Sequence, residues 1–582
     1  MRRMAAELIV ERDVRVAMRD GVNLATDVYR PNDSAPHPVL VHRTPYSKSN
    51  AWFVGGLMFN PLDAVQRGYV IVVQDTRGRF GSEGDWEPFA NEAADGYDTV
   101  EWAAAQPWSD ANIGVYGSSY MGVTTIQALV AAPPHLKAAV SYMTGADYHS
   151  GWTYSGGAFE LGFNLWWTTF PGWDTASRLK VSDSERMELL GRLAAATADP
   201  WTAARHLPLT ELPAFQNDVA PYWQDWLRHP VYDESWERVD ALARADDIGA
   251  PLLQIAAWYD NFLRGHLDLN ARLRDQGDHR LVVGPWDHEA YLSLGLSRAG
   301  QRDFGPSAIG GPTLVAELAL SWFDHWLAGK ETPLMDTRPV RYFMMGTNAW
   351  READTWPPAS TPTQWYLRSG GRANTRHGDG ALTLEPPDVE PADSYRYDPA
   401  DPVPSLGGRT LHPNLGPGGV QDQATLEERE DVLVYTSARL TTPLAVAGPV
   451  SVTLFAASSA RDTDFTAKLV DVEPDGYCAN IAEGIIRARH RSGEPREELL
   501  EPGGVTEFGI DLWDVAHTFR AGHRVRVEIS SSNFPRFDRN LNSAVSPELA
   551  GPGDLQVADQ QIWHDKDHPS RLALPVLDES GG

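Results

Sequence analysis

The stretch Asn112-Ile113-Gly114-Val115-Tyr116-Gly117-Ser118-Ser119-Tyr120-Met121-Gly122 decides how the rest of the chain reads. A short apolar run enters a corner of small residues, and a helix-forming run, Val123 to Ala132, leaves it. A serine held between small residues at a strand-to-helix turn is the geometry of a nucleophile elbow. Gly117 and Gly122 leave room for a sharp backbone turn and for close packing of strand on helix. Ser119 then falls at a helix N-terminus, where unpaired N–H groups favour negative charge. The second glycine comes one residue later than in Gly-x-Ser-x-Gly, so an ordinary Gly/Ser turn competes with the elbow. Ser118 is the rival nucleophile, and the Gly-x-Ser frame selects Ser119.

On both sides of this stretch the chain alternates strands with helices. Leu8-Ile9-Val10 and Val14-x-Val16 turn at Asp20-Gly21 into Val22-x-Leu24, a hairpin signal. Pro38 to His42 is a short buried strand, followed by the polar loop Arg43-Thr44-Pro45-Tyr46. Gly68 to Gln74 is continuously apolar, as in a sheet covered on both faces. The next loop, Asp75 to Gly84, carries Gly-x-x-Gly-x-x-Gly, but its charge and spacing fit no dinucleotide fingerprint. Residues 91–106 read as a helix and Leu136 to Tyr142 as another strand, which predicts a parallel α/β sheet.

That rhythm stops over residues 147–246, where eight tryptophans lie among helix-forming stretches such as Ser182 to Ala195. It resumes at Pro251 to Ala257 and Arg280 to Gly284. A helical insertion at the carboxyl edge of the sheet, where the ligand crevice of such folds lies, accounts for this, with one or two of its tryptophans lining a pocket. Leu314, Val315, Leu318, Ala319, Trp322, Phe323, Trp326 and Leu327 form an amphipathic helix that ends at Gly329, with His325 on its solvated face. Val340 to Met345 reads as one more strand before a linker around Trp356-Pro357-Pro358. Beyond residue 360 Pro, Gly and Thr increase and short alternating strands recur, as in Val450-x-Val452-x-Leu454, which predicts an all-β sandwich of jelly-roll type. His564-Asp565-Lys566-Asp567-His568 reads as a polar loop rather than a metal site. The expected domains are 1–146 and 247–355 for the α/β part, 147–246 for the helical cap and 356–582 for the β-sandwich.

The bulk numbers bound the function. A chain of 582 residues predicts about three domains, and 42% apolar content with 21 Trp is enough to build their cores. A net charge of −29 argues against nucleic acid and anionic membrane as partners. The lone cysteine, Cys478, excludes an internal disulfide and a Cys-based zinc cluster and reads as a buried small hydrophobe. Met1 to Glu7 begins basic without an apolar core of signal-peptide length, and no run of about 18 apolar residues suggests a membrane span. The expectation is a soluble cytoplasmic protein.

A serine hydroxyl needs an imidazole to take its proton and a carboxylate to fix that imidazole's tautomer. In a doubly wound sheet these follow the serine on loops after later strands, in the order Ser, Asp, His. Trp258-Tyr259-Asp260-Asn261-Phe262 and Pro285-Trp286-Asp287-His288 are two such loops, which assigns the acid to Asp260 and the base to His288. The bland alternatives are that Asp260 caps the helix starting near Phe262 and that His288 is packed by Trp286. Asp287 is the rival acid, badly placed to orient a ring next to it. One oxyanion donor is expected from the N–H of Tyr120; the phenol of Tyr46, on a loop after an early strand, is a candidate for the second.

Taken together, Arg43-Thr44-Pro45-Tyr46, Asp75-Thr76-Arg77-Gly78, Gly117 to Gly122, Trp258-Tyr259-Asp260 and Gly284 to His288 resemble the cocaine esterase family. That family is grouped with the X-Pro dipeptidyl-peptidases (S15-like) and the α-amino-acid ester hydrolases. Ser531 to Asn540 also resembles the family's jelly-roll segment. The resemblance spans nearly the whole chain. It implies an α/β-hydrolase domain with a doubly wound sheet, an inserted helical cap and a carboxy-terminal jelly roll. It also implies Ser119 as nucleophile, His288 as base, Asp260 as its acid, Tyr46 and Tyr120 as the oxyanion hole, and Trp152, Trp167 and Phe262 as aromatic walls of an acyl site. The α-amino-acid ester hydrolases carry acidic residues just after the catalytic Asp, where this chain has Asn261-Phe262-Leu263-Arg264. The implied activity is therefore a serine carboxylesterase acting on a small neutral ester, with no metal or organic cofactor and with homodimerisation left open. An X-Pro dipeptidyl peptidase or amide hydrolase is the nearest alternative, and a ligand- or carbohydrate-binding protein with an inert hydrolase domain is the rival from another class.

Overall fold

The computed structural model describes residues 8–56, 58–288, 297–493 and 496–578. The amino-terminal stretch Met1 to Glu7, read above for a leader, lies outside them. Residues 8–353 contribute a ten-stranded sheet. It opens with the antiparallel pair β1 (Leu8–Ala17) and β2 (Asn23–Pro31), joined at the Asp20-Gly21 turn. The parallel part follows as β3 (His37–Thr44), β4 (Val70–Asp75), β5 (Ser109–Ser118) and β6 (Leu136–Tyr142). After the cap, which carries the short hairpin β7 (Tyr154–Ser155) and β8 (Ala158–Phe159), come β9 (Leu252–Tyr259) and β10 (His279–Asp287). A second small hairpin, β11 (Arg298–Ala299) and β12 (Arg302–Asp303), precedes β13 (Val340–Met344) and β14 (Ala349–Ala353). The spatial order is β1-β2-β4-β3-β5-β6-β9-β10-β13-β14, parallel from β4 to β13 and antiparallel at both edges.

Both faces are covered, which is why the central strands are apolar without alternation. Leu40, Ile71, Val73 and Tyr116 pack against Val315, Leu318, Trp322 and Phe323 of the helix Gly311–Trp326. Val39, Val41, Val70, Val72 and Val115 pack on the other face, against Val100, Ile126, Leu129 and Leu269. Each such side chain stabilises the fold by about 1.5–3 kcal/mol through burial. The helices on that second face are α2 (Glu92–Ala104), α3 (Tyr120–Val130) and α9 (Leu263–Leu273); α1 is the short Pro61–Gln66.

The cap consists of α4 (Leu161–Arg178), α5 (Asp183–Ala198), α6 (Pro200–Ala204), α7 (Pro221–Arg228) and α8 (Glu234–Glu237). Ser182 starts α5 by accepting from the Glu185 N–H, so this helix begins where an N-cap residue is expected. β9 lies beside β6 although the whole cap separates them in sequence. The insertion therefore sits over one end of the sheet without interrupting it.

Eleven further strands, β15 (Ser360–Arg368) to β25 (Arg571–Leu577), form the carboxy-terminal β-rich unit. Its long pair is β19 (Leu444–Ser458) with β22 (Thr506–Phe519), and Val450, Val452 and Leu454 of β19 are buried as their alternation predicts. This unit buttresses the strand that leads to Asp260. The buried guanidinium of Arg409 donates to Trp258 O at 2.9 Å and to Leu512 O at 2.7 Å, while Tyr259 Oη donates to Asn480 O at 3.0 Å. Burial lowers the Arg409 pKa to about 10.

One local expectation needs correction. After Met344 the chain turns back into β14, an edge strand that the pattern missed because Ala-Trp-Arg-Glu-Ala shows little apolar alternation. Residues 564–568 form the expected polar loop, and the ring of His564 at its start is fully buried, with Nε2 2.8 Å from Asp393 Oδ2 and Nδ1 3.1 Å from Glu390 Oε2. Cys478 is buried, and burial pushes its thiol up to about 12. Among the described residues no helix is long and apolar enough to cross a membrane.

Candidate active site

Ser119 stands between β5 and α3 with φ 54° and ψ −128°, a left-handed conformation that costs a non-glycine residue about 1–3 kcal/mol. The surroundings enforce it. Its N–H donates to Tyr142 O (3.0 Å) and Met143 O (3.1 Å) at the end of β6. A Cβ at position 117 would lie 2.1 Å from Met121 O, and one at position 122 would lie 2.6 Å from Thr144 Cβ, so only glycine permits this corner. The hydroxyl is thereby turned out of the sheet at the start of a helix, the property that makes an elbow useful. Ser118 ends β5, is 1% exposed, and its Oγ has no hydrogen-bond partner among the described residues.

The structure brings the three sequence-predicted groups together. His288 Nε2 lies 3.2 Å from Ser119 Oγ, and His288 Nδ1 lies 2.8 Å from Asp260 Oδ1. A carboxylate only accepts, so Nδ1 carries the proton and Nε2 is left to accept from the serine hydroxyl. His288 and Asp260 are fully buried and Ser119 is 8% exposed, so water screens these contacts little. Asp260 Oδ1 also accepts from the Phe262 N–H at 3.3 Å, so the turn leading into α9 uses the same oxygen that holds the imidazole. The rival acid, Asp287, instead accepts from the Gly300 N–H at 3.1 Å.

The two oxyanion candidates are held by different devices. Tyr120 N–H is the first of α3 and has no intrahelical acceptor. Its phenol is locked, donating to Glu92 Oε1 (3.1 Å) and accepting from the Phe89 N–H (2.8 Å). Glu92 is in turn 3.1 Å from Arg43 Nη1, and burial raises its pKa. Tyr46 follows β3, and its loop is pinned by Lys48, whose N–H donates to Asp75 and whose Nζ donates to Asp27. Burial lifts Asp75 to about 6. Tyr46 Oη accepts from Trp167 Nε1 at 2.6 Å, so its own hydrogen is available to a further acceptor. Burial raises the pKa of this phenol, which keeps it protonated.

Trp152, Trp167 and Phe262 lie beside these groups. The rings of Trp152 and Phe262 stack at 3.9 Å, Phe262 meets His288 edge-on at 5.2 Å, and Trp167 stacks on Tyr120 at 5.8 Å. The reading from sequence missed their neighbours Trp86, Phe89, Tyr222 and Trp226, which extend the aromatic wall. It also missed Leu411, Leu415 and Phe534 of the β-rich unit, buried in the same cluster. His266 fixes the next layer by accepting from the Thr144 N–H at 2.9 Å, and burial lowers it to about 4.

Comparison with known proteins gives the family. Residues 20–290 match the X-Pro dipeptidyl-peptidase (S15) family model, and residues 333–573 match the X-Pro dipeptidyl-peptidase C-terminal non-catalytic domain. The cocaine esterase of Rhodococcus sp. (strain MB1 Bresler) is 39% identical over 570 residues, 98% of each chain. The chain belongs to the cocaine esterase-like hydrolases of the S15 family. Among solved structures, this S15 hydrolase is similar to an aminopeptidase from the marine sediment archaeon Thaumarchaeota archaeon (TM-score 0.82, 27% identity, 99% and 97% of the two chains). It is also similar to an α-amino acid ester hydrolase (TM-score 0.78, 27% identity, 98% and 97%). The S15 hydrolase is thus a serine hydrolase with an α/β-hydrolase-like sheet and a carboxy-terminal β-rich domain.

Proposed function

We propose that this S15 hydrolase is a carboxylesterase that cleaves small uncharged acyl esters through an acyl-enzyme on Ser119. His288 Nε2 takes the Ser119 Oγ proton as Oγ adds to the ester carbonyl, and Asp260 holds the resulting imidazolium by Nδ1–H. The oxyanion accepts from Tyr46 Oη–H and Tyr120 N–H. On collapse the C–O bond to the alcohol breaks and His288 returns the proton to the departing oxygen. Water then repeats the sequence on the acyl-enzyme and releases the acid. Trp152, Trp167 and Phe262 hold the acyl group by apolar contact.

The observation that carries this reading is the chain of contacts from Asp260 through His288 to Ser119, at 2.8 and 3.2 Å, with the strained serine at the foot of α3. The match to the S15 model and the likeness to an aminopeptidase favour a second reading, cleavage after an X-Pro dipeptide. Against it stand Asn261-Phe262-Leu263-Arg264, which offer no carboxylate to a substrate ammonium; Arg264 is itself engaged with Asp268 and Asp511. A pure binding role would leave the strain at Ser119 without use. Side-by-side assay of p-nitrophenyl butyrate and Gly-Pro-p-nitroanilide separates the two enzymes. We expect kcat/KM for the ester to exceed that for the anilide by at least about 10²-fold, or about 2.7 kcal/mol of transition-state preference. The opposite ranking would replace the esterase by the peptidase.

A further inference from the structure

Arg79, in the glycine-rich loop that the reaction above leaves unused, is 1% exposed. Burying a guanidinium is costly unless its donors are met, and here they are met by two elements at once. Nη1 and Nη2 both donate to Pro171 O at 3.1 Å, Nη1 donates to Thr175 Oγ1 at 3.0 Å, and Nη2 lies 3.4 Å from Asp174 Oδ2, all on α4 of the cap. Nε points at Pro45 O, 3.4 Å away, on the loop that ends in Tyr46. The cation also lies over the Trp86 ring at 4.7 Å. Pro171 is one helical turn beyond Trp167, and Trp167 Nε1 is the group that donates to the Tyr46 hydroxyl at 2.6 Å. One side chain therefore touches the backbone before Tyr46 and the helix whose indole holds the Tyr46 hydroxyl.

We infer that Arg79 is a positioning residue for the Tyr46 oxyanion donor: it fastens the cap to the catalytic sheet so that the phenol keeps its aim. The inference rests on Tyr46 acting as proposed above. The lysine variant would keep a cation but could not serve Pro171, Thr175 and Pro45 together.

The test compares Arg79→Lys, Arg79→Met and Tyr46→Phe on p-nitrophenyl butyrate, with binding of an arylboronic acid as a probe of the tetrahedral state. Loss of the Tyr46 donor should lower kcat by about 10²–10³-fold. A displaced donor should cost up to about 10²-fold, so both Arg79 variants are expected to lose roughly 10–10² in kcat, with KM changed by less than about threefold. Boronate affinity should fall in parallel with kcat/KM. Adding Arg79→Met to Tyr46→Phe should cost less than about threefold more, because both changes act on one group. The inference is overturned if folded Arg79→Lys and Arg79→Met enzymes keep kcat and boronate affinity within about twofold while Tyr46→Phe is impaired, or if the two losses multiply. A Tyr46→Phe enzyme at wild-type rate would remove the donor assignment itself, and this inference with it.

Discussion

Ser119→Ala is expected to reduce kcat on a short acyl ester by about 10⁶-fold, leaving only what the remaining site contributes over water. The size follows from the local geometry. Ser119 Oγ lies within reach of the His288 imidazole, at 3.2 Å, whereas among the described residues the neighbouring Ser118 Oγ has no hydrogen-bond partner that could take its proton. The variant should fold, because alanine removes one oxygen and leaves the corner glycines in place. Relief is not expected from the strained backbone either, since the Ser119 N–H stays tied to Tyr142 O and Met143 O. Steady-state kinetics with p-nitrophenyl butyrate, alongside a thermal melt, checks this. A folded variant within tenfold of wild type would remove Ser119 from the mechanism.

Asp260→Asn should cost about 10⁴-fold in kcat while altering stability little. The carboxylate accepts from His288 Nδ1–H at 2.8 Å and so fixes which ring nitrogen is bare toward Ser119. An amide of the same shape can turn its NH₂ toward Nδ1. The imidazole would then carry its proton on Nε2, where it cannot accept the serine hydrogen. Because Asp260 is fully buried, no water would take over the carboxylate's task. Substrate binding does not need this group, so KM should stay within a few-fold. A loss confined to KM would mean that Asp260 shapes the pocket or caps α9 through the Phe262 N–H and does nothing for the imidazole.

How far the sequence could be read depended on how local each signal was. The elbow announces itself within eleven residues, and in a parallel sheet the carboxyl ends of all strands lie on one edge, so an Asp after β9 and a His after β10 fall near a Ser after β5. Ring contacts such as Trp152 with Phe262 were reached by resemblance, since nothing in periodicity brings residue 152 to residue 262. Arg79 shows the limit. Its loop carried a glycine pattern that fits no dinucleotide fingerprint and so pointed to no role, and its partners, Pro171 and Thr175, lie more than ninety residues away. His564 makes the same point: five polar residues in a row show the loop, but not Asp393 and Glu390, which come from far upstream to hold its buried imidazole. β14 escaped because an edge strand needs little apolar alternation to pair on one side.

A fluorophosphonate probe reports most directly on whether a serine in this chain is activated. Intact-mass and peptide mapping after exposure should find a single adduct, on Ser119, absent from Ser119→Ala and slowed by orders of magnitude in His288→Ala. An adduct on another residue, or no adduct on a protein that still hydrolyses esters, would contradict the account at its centre.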